Sequence, residues 1–560
     1  MKLTHGLAYA VSALTLAAAT PAVHAQSGDF LAALVATRAS DAENATAYLS
    51  DALRKDPGEK ALIRQQMTIL TIEGDYDAAL PYARDFLEID PAEPLAKTIV
   101  RNAAMKSGDW DAALQTLPLP AESRLDAIIE SIAFAAAHTG AGDMDGALTA
   151  IEEGLDAIGF VPLGHYARGL VFGAMGLYED SADAFTAFIG QDPFQFPRMA
   201  LLTAHAMERV GDEATATMVY EALLGTGLRT AGEEGLERLA AGTPVPDTLQ
   251  LQPVDIYTEL MFVITRLIAN QDQAAVAYRY AQEIGYLLSP DSGLYPGYTE
   301  LIASSLLELE RFEDAEKFYA DLEDIEEFRL AALLGQVQAL SDQERYDDAL
   351  SVLSEAEELL GGAPGINRQR GILYFRAEAY AEAVEAFKSW RAEVPELGPA
   401  AAQPLFIAGI ASYRLNDFDA MEEALLASLE LRPDDPNVLN FLAYSWVERG
   451  LNLDEGFEML NRAVEMQPDS GAIIDSLGWA YYQLGQYAEA LPHLERAFQL
   501  NPWSWEIADH VGDVYWKLDR TREAEYFWAR ALDLPDLPED RVQGIEDKLA
   551  DGLPDDSAAQ

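Results

Sequence analysis

The clearest hydrophobic pattern lies towards the C-terminal end, where Tyr487, Ala490, Leu494, Ala497 and Leu500 recur every three or four residues. That spacing places them on one stripe of an α-helix. Just before it, Leu477, Gly478 and Tyr481 belong to a second helical stretch, and Gly485 stands between the two as a turn. The pattern predicts a pair of helices packed back to back. A glycine inside a helix costs about 1 kcal/mol relative to alanine. Gly478, and Gly512 one unit later, therefore point to places where a neighbouring helix comes too close for a side chain.

The same unit recurs along the chain. Gly74-Asp75-Tyr76-Asp77-Ala78-Ala79, Gly108-Asp109-Trp110-Asp111-Ala112-Ala113, Gly142-Asp143-Met144-Asp145-Gly146-Ala147 and Gly176-Leu177-Tyr178-Glu179-Asp180-Ser181 follow one another at one constant step of about 34 residues. Ser40 and Gly211 extend the series with weaker versions of the pattern. Glu310, Glu344 and Glu378 form a second run at the same step, and Asn416, Gly450, Gly485 and Asp519 follow at that step or one residue more. Pro57, Pro91, Pro193, Pro395, Pro433 and Pro502 each stand half a step after a turn position, and Pro468 stands one residue later than that. Proline cannot continue a helix, so each closes its unit.

The period, together with Ser476-Leu477-Gly478-Trp479-Ala480-Tyr481-Tyr482, Gly485, Tyr487, Ala490, Leu494, Ala497 and Pro502, resembles the tetratricopeptide repeat family. The resemblance covers most of residues 27–534 and is best in the four units from Ala402 to Leu534. Middle units depart from it by carrying Glu at the turn glycine. It implies an all-α, right-handed α-solenoid of stacked antiparallel helix pairs, the first helix of each lining a concave groove. Independent physics asks for the same stacking, because helices of about 12 to 14 residues are marginal alone and must bury their apolar faces against neighbours.

Glycines and prolines crowd between Gly225 and Pro253, so the expected organisation is an array over 26–225, an irregular linker or degenerate repeat over 226–253, and a second array over 254–534. Residues 535–552 are expected to hold a closing helix with Val542, Ile545 and Leu549 inward. Residues 553–560 read as a disordered tail.

The first residues change the picture of where the chain works. Lys2, the apolar stretch from Leu7 to Ala19 and Val23-His24-Ala25 read as a cleaved signal peptide over residues 1–25. A periplasmic address follows as the expectation, with secretion or peripheral attachment to the outer membrane as alternatives. The chain has no cysteine, which rules out disulfides, thiolate metal sites and an acylated N-terminal cysteine. Its net charge of -56, or -57 after cleavage, disfavours nucleic acid and anionic membrane surfaces. That acidity reads first as solubility and second as a preference for basic partners.

Catalytic chemistry has little to build on. Only His138, His165, His205, His493 and His510 remain after cleavage, in separate units and without an HExxH spacing. Gly225, Gly227 and Gly232 lack the strand and lysine of a phosphate loop. Asp143-Met144-Asp145-Gly146 resembles the start of a calcium loop but lacks the remaining ligands. Neither a cofactor nor a metal is expected, and the chain is not expected to be an enzyme.

A groove lined by first helices would align Asn440, Tyr444 and Glu448 with Asp475, Trp479 and Tyr482, and with Glu506, Asp509, Asp513 and Trp516. This aromatic strip edged by carboxylates suits a peptide or helix bearing basic and apolar side chains, with cation-π contacts to Trp479 and Trp516. The reading is a non-catalytic scaffold or adaptor of the bacterial cell envelope, binding other proteins without inserting into the membrane. A structural, self-associating solenoid is the alternative, and an enzyme acting on an envelope polymer is the alternative of another class. The oligomeric state is left open.

Overall fold

A computed structural model describes residues 28–38, 41–116, 123–189, 197–246, 249–271, 273–289, 292–360, 365–394 and 396–553. The segments assigned to the signal peptide and most of the tail, as well as Ser40, Pro193 and Pro395, lie outside them. Among the described residues the regular structure is helical and contains no strand. The architecture is all-α, built from helix pairs that stack on their neighbours in sequence.

The turn signature has a direct structural meaning. Gly74, Gly108, Gly142, Gly176, Gly211, Gly450 and Gly485 all adopt positive φ, from 67° to 79°. At Gly74 the motif is a Schellman cap: its N–H donates to the Thr71 carbonyl at 3.2 Å, and the Asp75 N–H donates to the Leu70 carbonyl at 2.8 Å. Asp75 then caps the next helix, accepting from the Ala78 N–H at 2.9 Å, and Asp109, Asp143, Asp212 and Asp417 do the same in their units. Asp143, considered above as a calcium ligand, is thus a helix cap. The alanine five residues after the turn is fully buried at Ala79, Ala113, Ala147, Ala216, Ala315, Ala349, Ala383, Ala490 and Ala524.

Where the glycine is replaced, the backbone is unchanged. Glu310, Glu344, Glu378, Asn416 and Asp519 hold φ near 60°. For a residue with a Cβ this conformation costs roughly 1–2 kcal/mol. At Glu310 and Glu344 the following residue is arginine rather than aspartate. Arg311 and Arg345 reach forward to Asp314 and Asp348, at 3.0 and 2.9 Å from Nε.

A second regularity sets how closely the helices of a pair approach. A Cβ at Gly478 would lie 2.6 Å from Leu494 Cγ, and one at Gly512 would lie 2.5 Å from Trp528 Cδ1. Gly371 faces Phe387 and Gly409 faces Leu425 in the same way, always at the same separation along the chain. The predicted stripe of helix Tyr487–Leu500 buries Ala490, Leu494 and Ala497 completely. Leu500, its last residue, is 41% exposed because the helix ends there.

The chain divides into two compact units at Leu359/Leu360. The glycine-rich stretch expected to separate the arrays lies inside the first unit and contains helix Arg229–Ala241, which packs on helix Glu213–Leu223 with Gly235 against the Tyr220 ring. Glycine here admits an aromatic neighbour rather than breaking the chain's order. In the same unit the pair Pro253–Ala269 and Ala274–Leu287 touches earlier first helices as well as its neighbours in sequence. The second unit stacks five pairs, from Gly365–Arg376 with Tyr380–Glu393 to Trp505–Lys517 with Thr521–Leu532. Helix Glu539–Asp551 follows, with Ile545 buried and Val542 and Leu549 partly buried.

Candidate functional site

In the second unit the first helices Ala402–Arg414, Pro436–Glu448, Gly471–Gln483 and Trp505–Lys517 lie side by side. Their periodicity brings the residues selected from the sequence onto one face, in three chemically distinct groups.

The most open group joins Tyr413, Tyr444, Glu448 and Glu506. The Tyr413 hydroxyl donates to Glu448 Oε2 at 3.1 Å, and the Tyr444 hydroxyl donates to Glu506 Oε1 at 3.4 Å across 62 residues of sequence. Both carboxylates are exposed, and neither pairs with a Lys or Arg among the described residues. The carboxyl of Glu506 is raised above its ordinary value. Partial desolvation by the surrounding groove is the main cause, and the nearby Asp475 and Glu448 add to it against the opposing pull of His510. Asn440 lies beside this group on the same helix as Tyr444, its amide oxygen buried without a donor.

The second group is a buried stack. His510 Nδ1 meets both oxygens of Asp475, at 3.1 and 3.0 Å, and Asp475 is only 4% exposed. The imidazole lies nearly parallel to Trp479 with centroids 4.0 Å apart, and Tyr482 stacks on the same indole at 4.5 Å. Burial opposes charging His510, but the Asp475 carboxylate outweighs it, with help from Glu506 and Asp509, and lifts the pKa to about 9. At neutral pH an imidazolium therefore already covers the indole. The cation-π partner expected from outside is supplied by the chain itself.

The third group closes the face. Lys548 of the last helix sits between Asp509 and Asp513, with Nζ at 2.8 Å from an oxygen of each. Asp513, 4% exposed, also accepts from Trp528 Nε1 at 2.8 Å. Burial and the neighbouring Asp509 both raise its pKa. Trp516 leans on Trp528 at 5.5 Å, and Gly552 passes so near its ring that a Cβ there would overlap it. Asp509, Asp513 and Trp516 are thus engaged by the closing helix and the residue after it. Glu448 and Glu506 form the part of the face that is open to solvent, with Asn440 and Tyr444 half-buried beside them.

Sequence reasoning did not select Tyr413, His510 or Lys548. His510 lies 35 residues after Asp475, one place beyond Asp509, the equivalent position of the next unit, so the period did not single it out. Among the described residues no group of three or more His, Asp or Glu side chains is placed to hold a metal ion, and no helix is long and apolar enough to cross a membrane.

Residues 334–401 and 476–504 each match the family described as tetratricopeptide repeat. Over these segments the chain is similar to tetratricopeptide repeats. TPR repeat-containing protein PA4667 of Pseudomonas aeruginosa is 30% identical over 167 residues, which is 30% of this chain and 28% of that protein. TPR repeat-containing protein YpiA of Bacillus subtilis is 26% identical over 235 residues, 40% of this chain and 53% of that protein. The chain therefore spans well under two thirds of either relative. Among solved structures, Cut9 with Hcn1 from the APC/C aligns over 98% of this chain and 99% of its own at 16% identity and a TM-score of 0.37. Yeast Tom70 aligns over 76% of this chain and 96% of its own at 16% identity and a TM-score of 0.32. At such scores the alignments add nothing to the fold, which rests on the helix pairs themselves. Tetratricopeptide repeats generally mediate protein–protein interaction and are typically non-enzymatic.

Proposed function

We propose that the chain is a non-catalytic scaffold of the bacterial cell envelope that holds partner proteins on the first-helix face of its second unit. The partner segment carries a Lys or Arg flanked by apolar side chains. The observation that carries this reading is the contrast along one face. At its end two carboxylates, Asp509 and Asp513, share the chain's own Lys548. Glu448 and Glu506 sit on the same face beside the rings of Tyr413 and Tyr444 with tyrosine donors alone. A cation from a partner would meet there a pair of carboxylates, as Lys548 does at Asp509 and Asp513, with tyrosine rings beside them.

A leader at residues 1–25 supports the envelope setting, and the net charge of -56 supports basic over acidic partners. A photo-crosslinking amino acid at Tyr444 in living cells tests the reading. It should capture envelope proteins, and Glu448→Gln with Glu506→Gln should weaken their binding about tenfold, as for loss of a charge-assisted contact worth ~1.4 kcal/mol. Undiminished capture by that double variant would remove the groove from the mechanism. Export is read separately: N-terminal sequencing of the protein from the periplasmic fraction should start at Gln26, and recovery in the cytosol with Met1 retained would remove the envelope setting.

A further inference from the structure

In the first unit the equivalent face is already filled. Helix Pro253–Ala269 lies against first helices Arg124–Gly140 and Val161–Ala174, while helix Ala274–Leu287 lies against Lys60–Ile72 and Pro94–Ser107. One helix pair therefore spans the first helices of four successive units. Its contact residues are core residues: Ile256, Tyr257, Leu260, Met261, Ala281 and Ile284 are fully buried.

The buried ion pairs at this contact share one direction. In them the array contributes the cation and the inserted pair the carboxylate. Arg101, 1% exposed, places Nη2 at 2.6 Å from Glu283 Oε1 and 2.9 Å from the Tyr257 hydroxyl. Asn102 Nδ2 and the Tyr257 hydroxyl donate to the same Glu283 oxygen at 2.8 and 2.5 Å. Arg198 clasps Glu259 at 2.7 Å. At the rim, Tyr286 stacks on Tyr76 with centroids 4.9 Å apart, donates to Asp77 at 2.7 Å, and lies under Lys106 at 3.8 Å. Basic residues are outnumbered in this chain, 38 against 94 acidic, and Arg101 and Arg198 both pair with buried carboxylates. Their placement against buried carboxylates sets the register of this contact, because a buried guanidinium without its partner is strongly unfavourable.

We propose that the Pro253–Leu287 pair is an internal ligand: the first-helix face of the N-terminal array is built to hold a helical hairpin bearing Tyr and Glu, and the chain supplies that hairpin itself. The face is shut to outside partners in the native state, and Glu283 is the group whose recognition by Arg101 and Asn102 keeps it shut. The chain then has two faces of opposite preference, one for carboxylates and filled in cis, the other for cations and open.

The test uses the full-length chain and a fluorescent synthetic peptide of residues 253–287. Wild-type protein should not bind the peptide. Glu283→Gln should raise amide exchange in helices 94–107 and 274–287 at least tenfold, leave helices 471–517 unchanged, and create saturable peptide binding. The peptide carrying the same Glu-to-Gln change should bind that variant at least tenfold more weakly. Binding of the peptide to wild type as tightly as to the variant, or unchanged exchange in the variant, would overturn the proposal. Should Glu283→Gln fail to fold, Tyr286→Phe with Lys106→Ala loosens only the rim. It should raise exchange selectively in helices 94–107 and 274–287, and a uniform rise across residues 28–359 would refute an internal ligand.

Discussion

The charge on His510 makes the stability of the second unit depend on pH in an uncommon direction. Its pKa of about 9 in the folded chain exceeds the ordinary 6.5, so the folded state binds the proton more tightly than the unfolded state does. The stabilisation is complete below pH 6.5 and is lost as pH rises towards 9. A displacement of this size corresponds to about 3 kcal/mol between pH 6 and pH 9, at 1.36 kcal/mol per pH unit. Seven of the eight tryptophans, all except Trp110, lie beyond residue 359, so intrinsic fluorescence during urea unfolding reports mainly on this unit. With a urea dependence of about 2 kcal/mol per M, the midpoint should fall by about 1.5 M over that pH interval. His510→Gln keeps a hydrogen-bonding side chain but cannot charge, and should remove most of the fall. Parallel midpoint curves for wild type and variant would mean that the Asp475 contact does not hold the proton, and the account of the Trp479 stack would go with it.

Glu344→Gly should stabilise the chain by about 1 kcal/mol by relieving positive φ, while Gly485→Ala, with open space around the new methyl, should cost about as much, both read from urea midpoints. Gly478→Ala forces a methyl onto Leu494 and should cost about 1–3 kcal/mol in the same assay; a neutral result would show that the helices can part freely. In the first unit, burial and nearby arginines lower His205 to about 3, so stability should fall below pH 6.5 as the unfolded state takes up the proton. Circular dichroism should show about 2 kcal/mol lost between pH 7.5 and pH 5, absent in His205→Leu.

The repeat ladder was legible because its chemistry is local. Gly74 and Asp75 are adjacent in sequence and each satisfies backbone groups of the helix next to it, so their order alone announces a turn. Glu344 was legible for the weaker reason that it keeps the step of the ladder, and the cost of its φ could be known only from the backbone. The inserted pair was hidden because Arg101 and Glu283 are 182 residues apart and each carries a common residue type. The candidate face was half legible. Register placed Asp475, Asp509 and Asp513 on the first helices correctly, but register does not say what packs against them, and His510 and Lys548 had turned all three into internal partners.

The glycine and the large side chain it accommodates sit a fixed, short separation apart within a single unit, as Gly512 and Trp528 do. Lock and key are therefore inherited together. Duplicating, deleting or exchanging a whole block carries a matched set, whereas a crossover falling between the two would join a glycine to a stranger's side chain and leave either a void or a clash. Engineers lengthening this array should cut where one pair ends and the next begins, as at Pro502, and not at the turn inside a pair.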